Sequence, residues 1–340
     1  DSIMYRTIHH QPADVAFLVN QGWPDAEAAA DLISGADRIW ITGIGTSYHA
    51  ALVGGWLLRS SGYDARAVSS FDFATYPDQY PVGRNDAVIV QAHTGVKSYS
   101  ALAMERAVAS ARSVISIGSI SAEHPGSQFV LRTVIRETSA AYTTSHLTAM
   151  TRLAQIASLL GNPGLQPELA TVPEKIASII DRLGEIEEPA RQAAERHIYA
   201  IGSGPNEPTA LEFVIKAREA ALAQVDGLGA EQFFHGPIVA TDANDYGIVV
   251  TQSGPSLART QAIAQALVDI GLPLWTVGDT DPGLGTHFAT SPITEMLSPL
   301  LNVVPIQIFA YHLAAIRGTH PDRFRREDQT YSDAFALLTL

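Results

Sequence analysis

Cysteine is absent from the 340-residue chain, which excludes disulfides, thiolate metal sites and a secreted disulfide-stapled scaffold, and makes a reducing cytoplasm the expected setting. Lysine is nearly absent: Lys97, Lys175 and Lys216 are the only three, and none follows Lys216. Any chemistry that needs a lysine amine in the last third of the chain is thereby excluded. A basic surplus is missing as well, since the net charge is −13. Polyanions are repelled at long range, so nucleic acid is not an expected partner, although a small anion can still bind locally. The first residues, 1–11, are polar, and no apolar run is read as approaching the roughly 18 to 20 residues of a membrane span. Neither a signal peptide nor membrane attachment is therefore expected. Nor does any His, Asp or Glu spacing suggest a metal site.

What the chain does contain, it contains twice. A strand ending in Gly43-Ile44-Gly45-Thr46-Ser47 recurs as one ending in Gly202-Ser203-Gly204-Pro205-Asn206, and His93-Thr94-Gly95 recurs as Gln252-Ser253-Gly254. The offset is the same for both landmarks (202 − 43 = 159; 254 − 95 = 159). A period this long is a duplicated domain and not a solenoid unit of roughly 20 to 50 residues. Length agrees, at about 150 residues per domain, and a hydrophobic content of 46% supplies two cores. The breakers Asn162-Pro163-Gly164, Pro167 and Pro173 place the boundary between a first domain, 1–163, and a second, 164–340.

Within the first domain the apolar runs 38–42, 87–91 and 113–117, with an extended 65–68, alternate with helical patterns over 47–60 and 98–110. The second repeats the order with strands over 197–201, 247–251 and 274–277 and helices over 208–224 and 256–270. A helical linker spans about 173–195, an apolar helix 299–317, and a polar tail begins at Gly318. Continuous apolar strands alternating with amphipathic helices indicate α/β domains with parallel, doubly wound sheets.

Several residues could carry chemistry. The turn at Gly43, Gly45, Thr46 and Ser47 puts backbone amides and hydroxyls at a helix N-terminus, where the dipole favours an anion. It is not GxGxxG, because Tyr48 stands at the third glycine, so a phosphate-like group is favoured over a dinucleotide. The plainer reading is a tight turn and a helix cap. His93, Thr94, Gly95 and Lys97 follow the next strand, where an ammonium could add charge to a shared anion site; a solvated lysine is the plainer reading. Lys216 and Glu219, three apart, share a helix face and at that spacing are ordinarily an exposed ion pair. His235 lies in Phe234-His235-Gly236-Pro237, a break in the chain. A carboxylate and an imidazole in one pocket can open a sugar ring and move a proton between adjacent carbons.

The strings Gly45-Thr46-Ser47-Tyr48-His49-Ala50, Ala210-Leu211-Glu212 through Lys216 to Glu219, His235-Gly236-Pro237, and Val304-Pro305-Ile306-Gln307 with Tyr311-His312 and Gly318-Thr319 resemble, in order, motifs of the sugar isomerase (SIS) domain family. The resemblance is specifically to the tandem isomerase half of glucosamine-6-phosphate synthase and runs over nearly the whole chain. It implies two SIS, flavodoxin-like domains, an anion held by Gly45, Thr46, Ser47, His93, Thr94 and Gly95, and Glu219 as the base shuttling a proton between C1 and C2 with Lys216 beside it. It also implies that His235 assists ring opening from the neighbouring subunit of a homodimer.

Three departures from that pattern shape the expectation. There is no glutaminase domain and no cysteine, so the chain by itself is not expected to release ammonia from glutamine. The synthase's Schiff-base lysine aligns with Gln329. The phosphate loop reads Ala92-His93-Thr94-Gly95-Val96-Lys97, losing two hydroxyls and gaining a cation; Ala140 and Tyr142, the latter in place of a small hydroxyl residue, reshape the sugar wall. The expectation is a cofactor-free enzyme that isomerises, or isomerises and deaminates, an anionic and most simply phosphorylated sugar. The alternatives are a deglycase, an isomerase of a sugar with another anion, and a non-catalytic sugar-phosphate sensor.

Overall fold

The computed structural model describes residues 2–338. Two five-stranded sheets, all parallel, organise them. The first consists of β1 (Ile39–Gly43), β2 (Ala65–Ser69), β3 (Ala87–Gln91), β4 (Ser113–Gly118) and β5 (Phe129–Arg132), ordered β2-β1-β3-β4-β5. The second consists of β6 (Ile198–Gly202), β7 (Val225–Gly229), β8 (Tyr246–Val250), β9 (Leu274–Gly278) and β10 (Thr286–Ala289), ordered β10-β9-β8-β6-β7. Read from the other edge the second order is that of the first, the doubly wound order whose ligand crevice lies where the first and third strands diverge. The repeat is therefore structural: β1 and β6 are 159 residues apart, as are β3 and β8 (198 − 39; 246 − 87).

Inner strands β1, β3, β4, β6, β8 and β9 are buried at every position. This is why their runs are continuously apolar. Edge strands β5, β7 and β10 are short and mixed in polarity, and the sequence reading did not anticipate them.

By its contacts the chain forms two compact units. The unit of the first sheet comprises residues 13–138, 144–170 and 325–338, and that of the second comprises 2–12, 139–143 and 171–324. In the first, Trp40, Val68, Val88, Val90 and Val114 pack against Phe73, Ala103, Met104 and Ala107. In the second, Tyr199, Ile201 and Val249 pack against Phe233, Ile263 and Leu267.

The expected linker helix is broken into Val172–Ile180, a 3-10 turn Leu183–Ile186 and Glu187–Ala193, and the polar tail contains a helix, Gln329–Ala336. One further expectation is corrected. The stretch Glu295–Ile316 is long and apolar enough, by length and composition, to cross a membrane, but 83% of its apolar window is buried. Its helix, Pro299–Ile316, packs on the helix Glu207–Ala221, where Phe309 meets Phe213 edge to face at 5.4 Å. It is the central core helix of its unit.

Candidate active site

In the first-sheet unit, β1 and β3 are adjacent and parallel, so the loops that follow them open side by side at the carboxyl end. The loop after β1 demands glycine twice. A Cβ on Gly43 would lie 2.5 Å from the Ser47 backbone, and Gly45 has φ +56°, a left-handed value costly for other residues. The helix Thr46–Ser60 starts immediately afterwards. Three of its amides are taken within the turn: Ser47 donates to Ile44 O at 3.2 Å, and Tyr48 and His49 donate to Gly45 O at 2.9 and 3.1 Å. What the turn presents is the half-buried Thr46 and Ser47 with their hydroxyls.

The loop after β3 is built around two ties. His93 Nε2 accepts the Glu137 amide at 2.9 Å, while burial first, then Arg136 and His124, push its pKa down to about 4. His93 is thus a neutral imidazole holding two segments together, not a cation for an anion. The Glu137 carboxylate, itself buried, accepts the Ser145 amide at 3.0 Å and so caps the helix Thr144–Leu160. At the far end Lys97 is exposed, and its amide donates to Ser100 Oγ at 2.8 Å at the start of the helix Ser98–Ser110. Ser98 has φ +44°, a strained value for a residue with a Cβ, immediately beside the loop. Gly45, Thr46, Ser47, Thr94, Gly95 and Lys97 therefore lie on two neighbouring loops of one sheet end. Ala140 and Tyr142 are half-buried in 139–143, a segment of the other unit.

In the second-sheet unit, Lys216 and Glu219 are brought together, and not as a surface pair. The Lys216 side chain is fully buried; its Nζ lies 2.7 Å from Glu219 Oε2 and 3.5 Å from Glu212 Oε1, with Glu212 fully buried and Glu219 26% exposed. Burying a charge without partners costs several kcal/mol, so the 212/216/219 spacing on one helix face is what permits the array. The sequence reading assigned Glu212 no role, although the same i, i+4 spacing could have singled it out.

The array stands on the last turns of the helix Glu207–Ala221, which ends at Leu222 in a left-handed conformation. That end is secured by residues the sequence reading also missed as functional. Arg317 Nε donates to Ala221 O at 2.9 Å, its guanidinium also reaches Ala194 O, and Thr319 Oγ1 donates to Ala220 O at 2.7 Å.

His235 terminates the short helix Ala230–Phe234 ahead of Gly236, whose φ is +154°. Its side chain is 69% exposed and pairs with Glu231 at 3.3 Å, not with Lys216 or Glu219. Glu231 in turn accepts from Nε and Nη2 along one edge of the Arg259 guanidinium.

No protein-family model matches the chain. It is 28% identical over 342 residues, 96% of its length, to glutamine–fructose-6-phosphate aminotransferase (isomerizing) of Pyrococcus horikoshii, and 25% identical over 336 residues to the protein of that name from Methanothermobacter thermautotrophicus. The chain spans 56% of the length of each of these relatives. Among solved structures it superposes on the C-terminal domain of glucosamine-fructose-6-phosphate aminotransferase from Francisella tularensis with a TM-score of 0.86, at 18% identity and covering 95% of this chain and 98% of that one. On tagatose-6-phosphate ketose/aldose isomerase from Escherichia coli the TM-score is 0.81, at 20% identity and 95% of each chain. On glucosamine-6-phosphate deaminase from Thermotoga maritima it is 0.74, at 19% identity, with 95% and 97% covered. The chain thus shares the fold of these three proteins.

Proposed function

We propose that this protein is an isomerase-type enzyme for a phosphorylated sugar, transferring a proton between adjacent carbons of the open chain and, where C2 bears an amine, releasing it. The observation that carries the reading is the Glu212–Lys216–Glu219 array. Of two carboxylates held on one buried ammonium, only Glu219 reaches solvent. Such a carboxylate can take the proton from one carbon and return it to the next, while the neighbouring ammonium offsets the negative charge that builds on the enediolate oxygen. The anion role falls to the Thr46, Ser47 and Thr94 hydroxyls and the Lys97 ammonium, with His93 shaping the loop through Glu137. His235, exposed on its loop, is assigned to ring opening for a second copy of the chain in a homodimer. The relatives, named for fructose 6-phosphate, and the neighbours, named for tagatose 6-phosphate and glucosamine 6-phosphate, support a hexose phosphate.

The added cation at Lys97 favours, as a second reading, a sugar bearing a different anion. One experiment separates these readings from a non-catalytic sensor: incubation in deuterium oxide with a panel of hexose phosphates, hexosamine phosphates and sugar sulfonates. Deuterium is expected at C1 or C2 of the true substrate, none with Glu219→Gln, and a raised KM with Ser47→Ala or Lys97→Ala. Tight binding without exchange on every compound would establish a sensor instead.

A further inference from the structure

The second sheet carries its own copy of the anion crevice, and the chain fills it. The loops after β6 and β8 correspond to those after β1 and β3: Gly204 has φ +55° against +56° at Gly45, and at the 159-residue offset Gly254 corresponds to Gly95 and Ser256 to Lys97. Between them lies the carboxylate of Glu295. Ser256 Oγ donates to its Oε1 at 3.0 Å; a Cβ on Gly254 would lie 2.5 Å from Oε2, and one on Gly204 3.8 Å from Oε1. Glu295 is half-buried and, among the described residues, pairs with no cation. Its segment is tied to the same crevice from below: Ser298 Oγ donates to Glu295 O at 2.7 Å and accepts from Asn206 Nδ2 at 2.7 Å. Nothing comparable meets Gly95 in the first sheet, where the atoms facing a Cβ are backbone atoms of Glu123.

We propose that Glu295 is a built-in ligand: its carboxylate occupies, in the second crevice, the place that a substrate's charged group takes in the first. This closes the second crevice to free anions and clamps the loops after β6 and β8 together. The same correspondence makes Lys97, standing where Ser256 donates to Glu295, the direct donor to the substrate anion. That corollary rests on the reading of the first crevice as the anion site; the occupation of the second does not.

The test counts inorganic phosphate bound per chain by equilibrium dialysis, and locates it by hydrogen exchange, in wild type, Glu295→Ala, Ser47→Ala/Lys97→Ala and the triple variant. The expected counts are one, two, none and one, with the phosphate of the triple variant protecting residues 253–257. Two phosphates on wild type, or one left on Ser47→Ala/Lys97→Ala that protects 253–257, overturns the proposal. So does a folded Glu295→Ala that gains none. Should Glu295→Ala not fold, the wild-type and Ser47→Ala/Lys97→Ala counts still decide, and added phosphate or acetate is expected to restore folding. A wild type that binds none while Glu295→Ala gains one leaves this inference standing and removes the anion reading of the first crevice.

Discussion

Replacing Lys216 by methionine tests whether the charged array is an obligatory unit. The side chains are of similar length and volume, so packing is retained while the ammonium is lost. Glu212, fully buried, then loses the ammonium 3.5 Å away, and Glu219 the one 2.7 Å away. Breaking a buried pair by removing one member costs about 3–5 kcal/mol, much of it the uncompensated charge and not the lost attraction. For a unit of this size, each kcal/mol shifts the melting temperature by about 2–4 °C, giving a fall on the order of 6–20 °C. Neutralising Glu212 as well should return part of that loss. Lys216→Met/Glu212→Gln is therefore expected to be more stable than Lys216→Met alone, with a coupling energy of about 1–3 kcal/mol, read from urea midpoints across the double-mutant cycle. Activity should not return with stability, because Glu219 still lacks its cation. A Lys216→Met protein within about 1 kcal/mol of wild type, or a double variant no better than the single, would refute the premise that these charges are held together out of water.

Acid should loosen the first-sheet unit. Burial leads in pushing both His93 and His124 from 6.5 down to about 4. The unfolded chain therefore takes up protons that the fold refuses: stability is full above about pH 6.5 and is lost as pH falls towards 4, by at most about 3 kcal/mol per ring. Urea midpoints against pH should show this slope, and His124→Asn should flatten it. Gly43→Ala should cost about 1–3 kcal/mol, because its Cβ would meet Ser47 backbone atoms at 2.5 Å, which no side-chain rotation relieves; a urea melt of the variant measures this. Arg317→Met should fray the end of the helix Glu207–Ala221 by leaving the Ala221 and Ala194 carbonyls without their donor. Hydrogen exchange over 216–223 should rise, with kcat falling more than KM rises.

The inner strands were legible in the sequence because burial on both faces leaves apolar runs with nothing polar to interrupt them, as in Ala87–Gln91 and Ile198–Gly202. The duplication was legible because glycine at 45 and 204 answers a backbone requirement that few other residues meet. Edge strands escaped notice where composition is set by partial exposure, as in Val225–Gly229, which contains Asp226 and two glycines. The segment Glu295–Ile316 went unrecognised as span-like because Asn302, Pro305, Gln307 and His312 interrupt it, yet each finds a place in a protein interior. At the site, residue types were legible and environments were not. The pair at 216 and 219 has the spacing of an ordinary surface pair, and only tertiary packing around the helix Glu207–Ala221 turns it into a buried array. Likewise the loop at His93 was read as holding an anion, whereas the Glu137 amide takes the ring's Nε2 as its acceptor and so puts the ring proton on Nδ1.

The two copies have diverged in complementary directions, which argues that the duplication has become a division of labour. At the 159-residue offset, Glu212, Lys216 and Glu219 correspond to Val53, Leu57 and Ser60, and Val53 and Leu57 are buried as ordinary core. The first copy thus carries no buried charge on the helix after its glycine turn, while its two loops carry hydroxyls and the exposed Lys97. The second copy carries two carboxylates and the ammonium between them on that helix, while its loops close on Glu295. Each arrangement has a physical reason. An ion array in a core costs several kcal/mol and is tolerable once. An idle crevice with a hydroxyl beside a helix N-terminus attracts whatever anion is at hand, and a carboxylate from the same chain satisfies it without competing for substrate. A chain keeping both functions in both copies would bear the cost of two buried arrays and bind two anions, only one of them productively.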